Sequence, residues 1–423
     1  MLVDAWLARA AAAQPRRVAV GQLTYSALLE AARLGAGQLA AHGVRAGERV
    51  AITLPPGEPF VVALHAVLLL GAVAIPIDPR LAPSEAARQA DGAAVVVDAE
   101  LAGPVDARTP IRATHDLDAA AIVVHTSGTS SSARAVELTY GNWLWSALGS
   151  AVALGRDPDE RWLCCLPLSH VGGLSILMRS VIGATTAVVH ERFDTDRVLA
   201  ALRDPAGPTM VSLVPTTLSR LLDAGLQRPP ALRWALLGGA AIGEKLLVRA
   251  RGAGVPVAST YGMTEACSQV LTHGRPLFCT RVGLADDSEI LVSGPTVAPG
   301  SGPTLRTGDR GEIGADGRVV VLGRADDMII SGGENVAPAE VEAMLEAHSA
   351  VAEAAVFGRA DPEWGQRVVA VVVLRDAVAV DPDALRAWCA ERLARHQTPK
   401  TVELRADPLP RTPSGKLLRR DLT

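Results

Sequence analysis

The sequence predicts an α/β protein. A large N-terminal part of mostly parallel sheets flanked by helices is closed by a small β region and followed by a small α+β unit. Three observations predict this. Over residues 18–262, unbroken apolar runs such as VAIPI, AAIVVHT, PTMVSLV and LRWALLGG alternate with Ala/Leu-rich helical stretches. A strand buried on both faces reads as a continuous apolar run, and its parallel neighbours need crossover helices. Beyond Gly262 the runs shorten and turns crowd together, as in SEILVSGPTV and GEIGADGRVVVLG, which reads as antiparallel β. Beyond a junction at Arg324–Asp327 the order becomes helix, strand, strand, helix.

Taken in order, MLVDAWLARAAAAQPRR reads as an amphipathic first helix, because Asp4 and Arg9 interrupt any leader-like apolar core. LTYSALLEAARLGAGQLAAHG is a strand end and a helix, with Thr24 or Ser26 as the cap and Gly43 as the stop. VRAGERVAITLP is a turn and a strand. The run Phe60–Ile77 approaches the length of a membrane span, but His65, Gly71 and Pro76 break it, so a buried helix and a buried strand are expected. PSEAARQADGAAVVVD repeats the theme, and AAIVVHTSGT ends a strand in a glycine loop. ADGR at 315–318 is a hairpin turn. In the last unit, PAEVEAMLEAHSAV is a helix begun by Pro338, EAAVFGRAD and RVVAVVVLRD are strands, and DPDALRAWCAERLARH is a second helix. The domains expected are 1–325 and 326–423.

Composition narrows the function. At 423 residues the chain exceeds one typical domain, and 49% hydrophobic content supplies an ample core, although aromatics at 3% leave the packing to Ala, Val and Leu. A net charge of −4 gives no basis for nucleic-acid or anionic-membrane binding. The five cysteines show no CxxC spacing, so reduced cytoplasmic thiols are expected instead of a disulfide frame or a zinc site.

Several stretches carry candidate chemistry. Lys416, in PRTPSGKLLRR, sits behind a Pro-Ser-Gly turn and is either a mobile point charge or part of a solvated basic tail. Thr126-Ser127-Gly128-Thr129-Ser130 leaves a strand rich in small donors and can wrap phosphate oxygens or be a plain polar turn; without GK[ST] it is not a Walker A loop. His170 follows an apolar strand, with Gly172-Gly173 leaving space beside it, and is either a pocket residue or a satisfied core histidine. A buried Arg179 needs an anion, which is either a substrate carboxylate or an internal partner. Asp309, in Thr307-Gly308-Asp309, is a turn carboxylate able to accept two hydroxyls.

In their order and separation these stretches, with YGMTE at Tyr261–Glu265 and GRADDMIISGGENV at Gly323–Val336, resemble the adenylate-forming superfamily of acyl-CoA ligases, peptide-synthetase adenylation domains and luciferases over nearly the whole chain. The run GLSILMRSV and the compact length are most similar to the o-succinylbenzoate–CoA ligases of menaquinone biosynthesis. The resemblance implies ATP, Mg²⁺ and coenzyme A acting on a carboxylic acid, most simply o-succinylbenzoate, through an acyl-adenylate. It implies Lys416, His170, Thr264 and Glu265 as catalytic residues and Glu265 as the magnesium ligand. Nucleotide contacts would come from Thr126–Ser130, Arg134, Gly238, Gly239, Ala240, Tyr261, Gly262, Asp309 and Arg324. The acyl pocket would be lined by His170, Arg179, Gly262 and Met263. Asp326 would be the hinge of a mobile C-terminal domain, bringing the Gly332–Asn335 loop in for thioester formation. The pattern departs from the family's TSGTTGxPKG at Ser131, Ala133 and Arg134, which puts pyrophosphate handling in question, and Ser169 replaces the usual aromatic before His170. Ligation of another aryl or fatty acid, loading of a carrier protein, and nucleotide binding without catalysis remain open alternatives. The expected partners are the acid, ATP and coenzyme A, with no nucleic acid and no membrane span; a homodimer is compatible with the chain.

Overall fold

The computed structural model describes residues 1–423 except 107, 127–133, 376–377, 412–416 and 423. Most of the N-terminal part is built on two sheets. In the larger, nine strands include a parallel block, Val257–Met263, Trp234–Leu237, Met210–Leu213, Arg161–Cys164, Thr186–Val189 and Val18–Val20, with antiparallel strands at either end. The second holds Ala93–Val97, Arg49–Ile52, Val73–Pro76 and Ala120–Thr126 in parallel, then Arg134–Thr139 antiparallel. The antiparallel return of 134–139 has no sequence signature, because the loop before it reads only as a strand exit.

Between the sheets lies a core from Ala5 to Ala298, dominated by Ala, Leu and Val as the composition requires. The run at 60–77 resolves into the helix Glu58–Leu70 and the strand Val73–Pro76. Every residue from Ala63 to Leu70 is buried, His65 included, because the helix packs on protein on all sides. No helix among the described residues is long and apolar enough to cross a membrane.

Local signals hold where they are chemical. Thr24 caps Tyr25–Ala41 by accepting from the Ala27 N–H (3.2 Å), and Gly43 ends the turn at φ +93°. The ADGR segment forms the expected hairpin, Ile313 pairing with Val319. Two expectations need trimming. The first helix is Trp6–Ala13, because Leu2–Asp4 pairs as a strand with Thr114–Asp116. The last helix stops at Ala390 instead of running to His396.

A four-stranded antiparallel sheet follows (Arg281–Leu284, Glu289–Ser293, Leu305–Ile313, Val319–Arg324) with its own core. Residues 329–405 then form a sheet in which Val351–Asp361 and Gly365–Leu374 are a long hairpin and Thr401–Arg405 joins in parallel. The helices Pro338–Glu346 and Pro382–Ala390 share its core through Val341, Leu345, Leu385 and Cys389.

Candidate active site

The parallel strands of the large sheet end together, and loops leaving their C-terminal ends converge, which is where ligands bind in open α/β sheets. After Trp234–Leu237 come Gly238, Gly239 and Ala240. Gly238 is buried so tightly that a Cβ there would meet the Thr260 carbonyl oxygen at 2.7 Å, whereas Gly239 (φ +80°) and Ala240 are exposed. After the neighbouring strand, Tyr261–Glu265 turns back sharply. A bulge lies between Tyr261 and Gly262, and any Cβ on Gly262 would strike the Ser268 carbonyl oxygen at 1.7 Å. Thr264–Ala266 is a single 3₁₀ turn, and Cys267 (φ +52°) and Ser268 (φ +89°) follow in the left-handed region. Two strained non-glycine residues in a row persist only where surroundings hold them, as Ser146 does by donating to the Cys267 carbonyl at 2.7 Å.

The sequence treated Tyr261 and Asp309 as separate contacts; the fold joins them. Tyr261 donates its hydroxyl hydrogen to Asp309 Oδ2 at 2.6 Å, and Arg324 Nε lies 3.2 Å from Asp309 Oδ1. Asp309 and Arg324 are register partners on adjacent strands, so a carboxylate and a guanidinium meet at the edge of the site. Burial and then the Asp309 charge push the Tyr261 hydroxyl pKa well up, keeping it a donor. Arg324 also donates to the Thr307 carbonyl at 2.8 Å.

His170 is the half-buried residue that begins the helix Val171–Gly183. Burial lowers its pKa, with Asp78 opposing and Arg80 adding to the shift, so the ring is neutral at pH 7. The neighbouring Gly173 does not leave space beside it, as the sequence suggested. A Cβ there would meet the Pro167 carbonyl oxygen at 2.3 Å, so this glycine lets the helix pack on the preceding turn. Further along the helix, Arg179 is 7% exposed and its guanidinium lies 5.3 Å from the Trp162 ring centroid. One amine reaches Ser268 Oγ at 3.5 Å, while Nε has no partner and no carboxylate lies within 4.0 Å among the described residues. The internal salt bridge that the sequence left open is therefore not seen. Burial pulls the pKa down to about 10, leaving a cation at neutral pH.

Glu265 is a half-buried carboxylate on the 3₁₀ turn, and Met263 and Thr264 beside it are half-buried too. Among the described residues no three His, Cys, Asp or Glu side chains converge. Glu265 could hold a magnesium ion together with a substrate's phosphates, because Mg²⁺ is commonly bound through one or two carboxylates plus phosphate oxygens.

Thr126 ends its strand with its hydroxyl 3.3 Å from the Arg134 carbonyl oxygen, and Arg134 is exposed at the start of the returning strand. Ser127, Gly128, Thr129 and Ser130, the substituted positions Ser131 and Ala133, and Lys416 lie outside the described residues. What flanks Lys416 is anchored: Arg411 bridges to Leu417, and Arg419 makes a bidentate pair with Glu342 (2.8 Å to each oxygen) while reaching Asp327 at 3.1 Å. Asp326 is exposed on the turn that follows Arg324. Gly332 (φ +62°) and Gly333 (φ +85°) make the turn between Ile329–Ser331 and Glu334–Val336. Sequence reasoning missed Ser268, which carries no motif and becomes relevant only through what folds against it, and it gave Asp327 a place in the junction without the pairing to Arg419.

Comparison with known proteins decides the family. A model described as "AMP-binding enzyme" matches residues 7–102 and 89–301, and one described as "AMP-binding enzyme C-terminal domain" matches 340–416. The chain belongs to the AMP-binding enzymes. Like other members it pairs a large N-terminal with a small C-terminal domain. This AMP-binding enzyme is 36% identical to the 2-succinylbenzoate–CoA ligase of Bacillus subtilis (strain 168), over 99% of this chain and 97% of that protein. Among solved structures it is similar to the o-succinylbenzoate CoA synthetase from Bacillus subtilis in complex with the acyl-adenylate intermediate OSB-AMP (TM-score 0.92, 36% identity, covering 100% and 98% of the two chains). The same synthetase in complex with ATP and magnesium ion also matches at TM-score 0.92 and 36% identity, with both chains covered completely.

Proposed function

We propose that this AMP-binding enzyme is an AMP-forming acid–CoA ligase whose acid is 2-succinylbenzoate. The observation that carries the reading is full-length similarity to ligases of that name. The site supports it at one point of chemistry: the buried guanidinium of Arg179 has no carboxylate within 4.0 Å among the described residues, Glu160 acting on it only at longer range. A dicarboxylic acid activated at one end leaves its other carboxylate to be recognised.

The residues divide the work as follows. The carboxylate of the acid attacks the α-phosphate of ATP, and both partners are anions, so the barrier is largely electrostatic. Lys416, the Thr264 hydroxyl and the loop 126–134 neutralise charge as it builds. Magnesium, when bound at Glu265, withdraws further phosphate charge. Gly238–Ala240 and the Tyr261 ring take the adenine, and Asp309, oriented by Tyr261 and Arg324, accepts the ribose hydroxyls. Residues 1–325 form the body and 326–423 the mobile domain. Rotation about Asp326 withdraws Lys416 and admits the Gly332–Asn335 loop, after which the coenzyme A thiol displaces AMP.

The decisive test is pyrophosphate release against a panel of acids, followed by thioester detection with coenzyme A. 2-Succinylbenzoate should give the highest kcat/KM; preference for benzoate or a fatty acid would replace the acid, and turnover only with a phosphopantetheinyl carrier would replace the acceptor. We place the enzyme in the cytoplasm, on five free thiols and no long apolar helix among the described residues. Light scattering decides between monomer and homodimer, and nucleic acid is not an expected partner.

A further inference from the structure

The turn that presents Thr264 and Glu265 is tied to the helix Tyr140–Leu154, and that helix begins where the strand Arg134–Thr139 ends. Thr126 and Arg134, at the two ends of the loop 126–134, are register partners, so the strand returning from the loop runs straight into the helix. Two buried polar side chains one turn apart on the helix carry the connection: Asn142, 4% exposed, and Ser146, 1% exposed.

Asn142 works at both ends of its amide. Its Oδ1 accepts the Thr139 N–H at 2.9 Å while its own backbone N–H reaches Thr139 Oγ1 at 3.1 Å, closing a capping box. Capping uses the oxygen alone. The amide nitrogen donates to two carbonyls of a distant loop, Pro295 at 2.9 Å and Val297 at 3.0 Å. The next residue, Ala298, donates its N–H to the Glu265 carbonyl at 2.8 Å. One helical turn beyond Asn142, Ser146 donates to the Cys267 carbonyl at 2.7 Å. The turn is therefore held at two carbonyls, and both holds lead back to the helix that starts at the end of the returning strand.

We propose that Asn142 is a positioning residue: through its amide nitrogen it fixes the Thr264–Glu265 turn relative to the loop 126–134, so that one triphosphate meets both. Asn142 touches no substrate itself. It sets the separation between the group that takes the α-phosphate and magnesium and the loop that takes the outer phosphates. Its effect is confined to ligands that span the two. AMP and the acyl-adenylate lack the outer phosphates and do not span them. The placement of the phosphates rests on the ligase reading; the coupling of turn to loop does not.

The test measures binding of ATP with Mg²⁺, and of AMP, to the full-length enzyme by calorimetry. Asn142→Asp keeps the oxygen that caps the helix and turns the donor into an acceptor. Its Kd for ATP with Mg²⁺ should rise about 10–100-fold, the scale for removing a group that supports a metal ligand, while its Kd for AMP stays within about twofold of wild type. Pyrophosphate release should fall by a similar factor, with thioester formation from supplied acyl-adenylate nearly spared. Ser146→Ala releases the second hold and should show the same split. Thr139→Ala breaks the cap but leaves both amide donations, so it should lower the thermal midpoint with both Kd values unchanged. If Asn142→Asp yields no folded enzyme, Asn142→Ala and Ser146→Ala decide. Equal weakening of AMP and ATP would overturn the proposal, because it reports lost fold support and not lost spacing. So would an unchanged Kd for ATP, or the same split in Thr139→Ala, which would assign it to the cap. The split between ATP and AMP in an enzyme that releases no pyrophosphate with any acid would sustain the coupling and refute the ligase reading.

Discussion

Asp309 is where three residues from separate stretches become one device. Its carboxylate takes the Tyr261 hydroxyl on one oxygen and Arg324 on the other. A hydrogen bond to a charged group contributes about 1.5–3 kcal/mol. Tyr261→Phe keeps the ring and removes that bond, so KM for ATP should rise on the order of tenfold while kcat changes little; an unchanged KM would show that Asp309 needs no such support. Lys416 is argued at the same scale. Lys416→Ala should lower pyrophosphate release by on the order of 10²–10³, the scale for one transition-state donor. Thioester formation from supplied acyl-adenylate should be nearly spared, and equal loss in both half-reactions would remove Lys416 from the first step.

At the scale of elements, the helix Glu58–Leu70 carries the clearest pH consequence. His65 is enclosed in it, and His115 packs against Tyr140 at a ring distance of 4.1 Å and against Trp6 at 5.0 Å. Burial lowers both imidazoles to about 4, helped at His65 by the charge of His115. Between pH 6.5 and 4 the unfolded chain binds more protons than the folded one, so stability rises with pH across that window and is lost as pH falls through it. The loss amounts to about 1–3 kcal/mol per histidine. Thermal midpoints should therefore fall between pH 7 and 5, and His65→Met should flatten the fall; an equally steep fall in the variant would acquit this histidine. The strand Val257–Met263 shows the other side of element design. It bulges at Gly262 because the returning chain passes too close for any side chain, which fixes where Thr264 and Glu265 are presented.

At the scale of the molecule, the two ends of the C-terminal unit are tied to each other. Arg419, three residues beyond Lys416 in sequence, binds Glu342 in the unit's first helix and Asp327 beside the proposed hinge, so these two carboxylates share one guanidinium. The unit also touches the body where Lys245 Nζ donates to the Glu346 carbonyl at 3.1 Å. A hinge need only absorb φ/ψ change. Asp326→Pro fixes φ and should leave pyrophosphate release within a few-fold of wild type while lowering thioester formation by on the order of tenfold or more. Unimpaired thiolation, measured from isolated acyl-adenylate, would move the hinge elsewhere.

The sequence by itself determined what depends on near neighbours. Thr24 caps a helix because its hydroxyl meets an N–H three residues on, ADGR turns because glycine accepts φ > 0, and 60–77 is helix then strand because proline and glycine interrupt it. It also marked which stretches are candidates for chemistry, since YGMTE and TGD are contiguous and keep their spacing whatever surrounds them. Only the tertiary structure decided what depends on distant pairs. Tyr261 and Asp309 are 48 residues apart and share no local signal, Gly173 serves packing against Pro167 instead of opening a pocket, and Arg179 is buried with no carboxylate within 4.0 Å among the described residues. The reason is physical: backbone preference is set within a few residues, whereas a buried charge is defined by whichever groups the completed fold places, or fails to place, around it.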